Sequence, residues 1–336
     1  MHRSRLPTIL SLLAIGLSLG LAGCLPNTIT LTLGGSGGQL TSSRVMGEGT
    51  PKIALIDLRG LITETSSPGL FDTGGNMVDA FLARLDLARK DAGVKAVIVR
   101  INSPGGSVVA SELLYSELRR FREETGKPVI ASMGEVAASG GYYIALAADE
   151  IVADASSATG SIGVLIQTVN ASEGLGRLGI VSRSVVSGPN KAIASPFEPM
   201  REAHYAILQQ MVDEMYERFT DRVRDRRPGM PESTFAEATD GRVYTGARAV
   251  ELGAVDHVGG LREALDRALA LADLPKATLI KYHTKGAAPR TAYAMMPLET
   301  PGARTGVEVS ARASLGGELS LAPGRAYFVW AGAITP

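Results

Sequence analysis

The chain alternates between short apolar runs and longer stretches in which apolar residues return every three or four positions. "KIALIDLRGLI", from Lys52, is a near-continuous run of Ile and Leu and reads as a buried strand. "NMVDAFLARLDLARKD" then puts Met77, Phe81 and Leu85 on one helical face. The alternation repeats. "VKAVIVRIN" is a strand and "SVVASELLYSELRRFREE" a helix. "KPVIASM" is a strand, followed by a turn of small residues and a helix from about Ser139 to Ala148. "EIVAD", "IGVLIQTV" and "RSVVSG" are three further strand candidates. "MREAHYAILQQMVDEMYERFTDRVRDRR" is a long amphipathic helix whose stripe, Ile207, Met211, Met215, Phe219 and Val223, suits core or subunit packing. A short helix follows "MPES", and "DGRVYTGARAVELGAVDHVGGLREALDRALALA" gives a turn, a helix, a turn and a helix. Strands alternating with helices predict an α/β domain with a largely parallel sheet. Ligands of such sheets sit beyond the carboxyl ends of the strands. "INSPGG" and "MGEVAASGG" both lie there, each between a strand and a helix.

The two ends break this pattern. "MHRSRLPTILSLLAIGLSLGLAGCLP" has basic Arg3 and Arg5, then an uncharged run from Leu6 to Gly23, which reads as an export signal. Leu21-Ala22-Gly23-Cys24 resembles the lipobox of bacterial lipoproteins, with cleavage before Cys24 and lipidation of its thiol. An uncleaved anchor helix is the alternative. Cys24 is the only cysteine, so an internal disulfide and a cysteine metal cluster are excluded. The expected organisation is a signal at 1–23, a lipid-anchored Gly/Ser-rich tether at 24–51, a main domain at 52–274 and an extension at 275–336 with no assigned role. Within that extension "RAYFVWAG" reads either as an added strand or as a segment docking on a neighbour. The lipobox implies a bacterial cell envelope location, lipid-anchored and facing the periplasm or exterior.

Composition narrows the function. Hydrophobic residues are 45% of the 336, enough for a sizeable core. Lys plus Arg equals Asp plus Glu at 34 each and aromatics are 5%, which argues against nucleic acid as a partner. The four histidines, His2, His204, His257 and His283, have no partners at metal-binding spacing and read as structural or solvent-facing. "GLGRLG" matches a dinucleotide fingerprint but precedes a strand, so Gly179 is better read as a helix C-cap.

Ser139 remains. Ala137 and Ala138 permit a sharp turn before it, and Gly140 and Gly141 permit close backbone approach after it. A helix opening there aims free N–H groups at a developing anion, and "SPGG" (Ser103 to Gly106) offers a second backbone donor. The alternative is that both turns are only compact helix entries. A serine hydroxyl needs a base. With no suitable histidine, Lys191 in "VVSGPNKAIASPF" is the leading candidate; it is flanked by Ala192 and Ile193, and a lysine base must be neutralised by burial.

Taken together, "RINSPGG", "MGEVAASGGYYIALAADEIVAD", "TGSIGV", "SGPNKAIASPF" and "DGRVYTGARAVELGAVDHVGG" resemble the signal peptide peptidase A (protease IV) family of serine peptidases, in that family's order and over roughly residues 52–273. The resemblance implies a Clp protease/crotonase-like fold of stacked β-β-α units. It implies a Ser/Lys dyad of Ser139 as nucleophile and Lys191 as general base. Gly106 would supply an oxyanion N–H and Ser161 would orient the lysine; Gly140, directly after the nucleophile, is a further oxyanion candidate. No metal or cofactor is implied. Short members form homo-oligomeric rings in which adjacent subunits can share the dyad. The expected activity is endopeptidase cleavage of signal peptide remnants or unfolded membrane-associated peptides. The lipobox departs from the family's usual spanning anchor. Leu25 follows Cys24, and in many Gram-negative bacteria the absence of Asp there favours transfer to the outer membrane; if that rule applies, the family's usual substrate is not at hand. A non-catalytic peptide-binding scaffold and an acyl-CoA enzyme of the crotonase type are the competing readings.

Overall fold

The apolar runs and helical stripes resolve into a twisted sheet covered on both faces. The computed structural model describes residues 40–64, 76–285 and 287–294, and the backbone of 326–329. The signal, Cys24 and most of the tether therefore lie outside the described residues. The elements begin with β1 (Leu40–Gly47), β2 (Lys52–Arg59), α1 (Met77–Lys90), β3 (Val94–Ser103), β4 (Gly105–Ser107) and α2 (Val108–Thr125). Next are β5 (Val129–Ala138), α3 (Gly140–Ala145), β6 (Glu150–Ala153), β7 (Ala158–Gly160), β8 (Leu165–Ile166), α4 (Ser172–Arg177) and α5 (Glu202–Arg226). The last are α6 (Glu232–Ala238), β9 (Val243–Thr245), α7 (Gly246–Glu251), β10 (His257–Val258), α8 (Leu261–Leu271), β11 (Thr278–Thr284) and β12 (Ala326–Val329).

The main sheet runs β1-β11-β2-β3-β5-β6-β10, parallel except for β1 against β11. Successive side chains of a strand face opposite sides, so each central strand feeds two cores. Ala54, Ile56, Leu58, Val97 and Val99 meet α1 and α2 through Phe81, Leu85, Leu114 and Leu118. Ile53, Leu55, Ala96, Ile98 and Val152 meet Leu261, Ala264 and Ala268 of α8. Burial on both faces explains why β2 and β3 read as continuous apolar runs rather than alternating ones.

Strand β5 does more than its sequence pattern suggests. It continues through "GEVAA" to Ala138 instead of ending in a turn. Its first half pairs with β6, and its second half leaves β6 for β7, which in turn pairs with β9. The switch is held by Asn102, skipped at a register shift in β3, whose Oδ1 accepts the Val136 N–H at 3.0 Å. This second tier of strands carries the chain beyond the main sheet, as stacked β-β-α units require.

Three expectations change. "RSVVSG" forms no strand, and "IGVLIQTV" yields only the two residues of β8. From residue 163 to 203 no residue is buried, and outside β8 these apolar residues join no strand among the described residues. Conversely, segments read as tether and extension each give a strand, β1 and β11, to the main sheet. Strand β11 reads as polar because of Lys281 and His283. Lys281 is instead buried against Asp57 at 2.6 Å and donates to the Ala294 carbonyl at 2.7 Å, while the His283 ring meets Ser43 Oγ at 2.7 Å. Gly179 (φ 73°) ends α4, as a C-cap glycine should.

Candidate active site

The two glycine-rich turns meet. In the first, Ser103 Oγ donates to the Gly60 carbonyl at 2.6 Å and accepts the Gly105 N–H at 3.1 Å, which fixes the bend after β3. One edge of β4 is then closed by Ile62: Ser107 N donates to its carbonyl at 2.7 Å, and its own N–H donates to Gly105 O at 2.8 Å. A β-carbon on Gly106 would sit 2.0 Å from the Ile62 oxygen, so only glycine fits. Ser107 caps α2, and its carbonyl accepts Ser111 Oγ at 2.9 Å.

The second turn carries Ser139 between β5 and α3. Its backbone stands at φ 52°, ψ −113°, a conformation that side chains rarely adopt. Two bonds hold it there: its N–H donates to Gly160 O, and its carbonyl accepts the Tyr143 N–H, each at 2.8 Å. The side chain is fully buried, and Oγ has no hydrogen-bond partner among the described residues. A buried hydroxyl left unpaired is costly, and in a native fold it asks for a reason.

Gly140 faces the first turn. A β-carbon there would lie 2.5 Å from Ser111 Oγ and 3.2 Å from the Gly106 nitrogen. Gly140, the residue after Ser139, thus packs directly against the Gly105–Gly106 backbone. The first N–H groups of a helix have no acceptor within it, so those opening α3 remain available. Ser161 comes to the same place from β7. It directly follows the pair Ala138↔Gly160, is nearly buried, and has φ 50°. Ser139 and Ser161 are two of four non-glycine residues with positive φ among those described.

Lys191 is not joined to them. It lies in a turn between Ser187 and Ala194, its side chain is exposed, and it makes no hydrogen bond to Ser139 Oγ. Its loop is anchored from the start of α5. Arg201 donates to the Pro189 carbonyl and to Asn190 Oδ1 (3.4 Å), and His204 Nε2 lies 3.2 Å from the same carbonyl. The sequence carries no signal for Arg201, and His204, expected to be structural or solvent-facing, is buried; only the fold reveals that the two brace the lysine loop. Ser111 was also missed, since a serine in a helix interior carries no signal of what packs on it.

Next to this site a cleft of about 840 Å³ runs between α2 and α5, lined by Val108, Leu113, Tyr143 and Met215 with Glu112 and Arg222. Tyr143 donates to Glu112, and burial pushes its hydroxyl pKa up, so it stays a donor. Its ring packs edge-on against Tyr115 and Phe219, which fixes α3 against both helices.

The model of peptidase family S49 matches residues 121–275. The chain is 34% identical over 236 residues to a putative signal peptide peptidase SppA of Enterococcus faecium, covering 70% of this chain and 68% of that one. It is 34% identical over 230 residues to Protease 4 of Haemophilus influenzae, where the match covers 68% of this chain but 36% of the longer relative. A chloroplastic serine protease SPPA of Arabidopsis thaliana is 33% identical over 237 residues, with 69% and 35% covered. Among solved structures, the 1510-N membrane-bound stomatin-specific protease superposes with a TM-score of 0.41 at 17% identity, over 66% of this chain and 86% of that one. On the family model and the sequence relatives the chain belongs to peptidase family S49 and is a serine peptidase.

Proposed function

We propose that the chain is a membrane-anchored endopeptidase that hydrolyses peptide bonds with Ser139 as nucleophile and Lys191 as general base. The observation that carries this reading is the buried, unpartnered Ser139 Oγ, held in a strained backbone beside the Gly106 nitrogen. Lys191, as the neutral amine, takes the hydroxyl proton while Oγ bonds to the substrate carbonyl carbon. The carbonyl electrons move onto oxygen, toward the N–H groups of Gly106 and Gly140. Collapse breaks the C–N bond, and the amine leaves with the proton from Lys191. Water then attacks the acyl-serine with the same lysine as base. Ser161 holds the lysine amine.

A lysine base needs desolvation, which an exposed loop does not supply. A second copy of the chain does. The segment with no buried residue exposes Leu178, Val181, Val185 and Phe197, and Met211 of α5 is exposed beyond it. An apolar surface of this kind marks a protein interface. We therefore read the active form as a homo-oligomeric ring in which Lys191 reaches the Ser139 of a neighbour. The anchor in this reading is the lipid on Cys24, which the lipobox-like Leu21-Ala22-Gly23-Cys24 supports. The substrates are signal peptide remnants or unfolded membrane-associated peptides on the envelope face. Ser139→Ala and Lys191→Ala are each expected to abolish hydrolysis of an unfolded peptide while the fold is kept. Wild-type activity in either would overturn the dyad.

A further inference from the structure

We propose that a polar cavity beside the N-terminus of α8 binds a dipeptide as its zwitterion, with the carboxylate on Arg100 and the ammonium on Asp154. The cavity measures about 350 Å³ and lies on the α8 face of the sheet, whereas α2 and α3 pack in the other core. It is separate from the Ser139 turn. The peptidase reading is used only for the source of the ligand.

The floor of the cavity is β5, which lies between β3 and β6. Strand side chains two apart share a face, so Arg100 and Ser132 point the same way as Ile98 and Ile130, which meet α8. The two are register partners across β3 and β5. Ser132 is 2% exposed and lines the cavity, and its Oγ makes no hydrogen bond among the described residues. A buried hydroxyl in that state points to a bound group that completes it. Asp154 follows β6, across β5 from Arg100; two strand spacings separate the β3 and β6 backbones by about 10 Å.

The charges around this space are kept apart. Arg100 Nη1 donates to the Tyr293 carbonyl at 3.1 Å, and its guanidinium lies 5.6 Å from the Tyr293 ring centre. It makes no ion pair among the described residues. The nearby buried carboxylate, Asp57, is already matched by Lys281 at 2.6 Å. Asp154 and Glu135 also line the cavity, are exposed, and have no cationic partner among the described residues. Asp154 Oδ1 accepts only the Ser156 N–H, at 3.0 Å. Gly260, the N-cap of α8, brings no capping side chain, so the free N–H groups there offset part of the second carboxylate. Unlike charges held apart across one cavity complement a ligand that carries both. A dipeptide released by hydrolysis has its two charged ends within this span; an uncleaved chain does not.

Calorimetric titration of full-chain Ser139→Ala with alanyl-alanine tests this without turnover. Saturable binding at one site per chain is expected. N-acetylation of the dipeptide, or amidation of its carboxyl end, should each weaken it at least about tenfold, the usual worth of a charged hydrogen bond. Arg100→Gln and Asp154→Asn should lose as much, the asparagine keeping an Oδ1 for Ser156. The capped dipeptides probe the unaltered cavity, so a misfolded variant does not decide the result. In the chain that retains Ser139, Arg100→Gln is expected to leave kcat and KM for an unfolded peptide unchanged. No saturation at millimolar alanyl-alanine, equal binding of the capped forms, or binding indifferent to Arg100→Gln would overturn the proposal. A KM that rises with the Kd in Arg100→Gln would place the dipeptide at the catalytic centre and overturn it too. The binding measurements need no hydrolysis, so they stand if the peptidase reading fails.

Discussion

Ser139 and Gly106 are each tightly constrained, one by its backbone conformation and the other by space. At Ser139 the cost is backbone strain, typically about 1–3 kcal/mol for such outliers. Two inactive variants therefore separate. Ser139→Ala keeps the strain and should leave the melting temperature near that of the parent. Ser139→Gly relieves it and is expected to gain about 1–2 kcal/mol. Equal thermal unfolding of the two would show that the position is unstrained. At Gly106 the limit is space, with the Ile62 carbonyl 2.0 Å from where a β-carbon would go. Gly106→Ala must push β4 off its bond to Ile62 and misplace the donor. Activity should fall at least about a hundredfold, the usual effect of losing one oxyanion donor. The serine and both glycines were legible in the sequence, because small residues at strand-to-helix junctions serve close backbone approach. Ser111 and Arg201 were not, because their role is set by what the fold brings onto them.

Elements were legible where burial follows the chain's own pattern and illegible where it depends on a partner. Strands β2, β3 and β6 announce themselves by apolar runs. Strand β11 hides behind Lys281, whose charge is matched by Asp57 on β2; burial lowers the lysine pKa and raises that of the aspartate. "RSVVSG" errs the other way, being apolar without a strand beside it. Helix α8 is fixed by a second ion pair. Arg267 donates to both oxygens of Glu150, on β6, at 2.6 Å each, and His257 lies 3.2 Å away. The hydrogen bonds from Arg267 hold the Glu150 carboxylate below the ordinary glutamate range. A depressed folded-state pKa stabilises above the unfolded value and is lost as pH falls through the folded one. Glu150→Gln should cost about 1–2 kcal/mol at neutral pH. Denaturant titrations should show that gap shrinking once the pH drops below the ordinary glutamate range; a gap that persists would place the loss in packing instead.

At the scale of the molecule, the described fold supplies half of the proposed dyad in a finished form and half in an unfinished one. The nucleophile turn is packed to the atom, whereas the lysine loop sits on an exposed apolar surface. That asymmetry is what an active site shared between copies predicts. Val185→Asp puts a charge on the exposed segment and should lower both the assembly state in sedimentation and the activity in parallel. Activity that survives in a dispersed protomer would confine the dyad to one chain. The most direct measurement of the central claim is labelling with a serine-reactive phosphonate, with the adduct mapped by mass spectrometry. One adduct, on Ser139, is expected, absent in Ser139→Ala and formed far more slowly in Lys191→Ala. An adduct on another residue, or labelling of Ser139 at an unchanged rate without Lys191, would contradict the account.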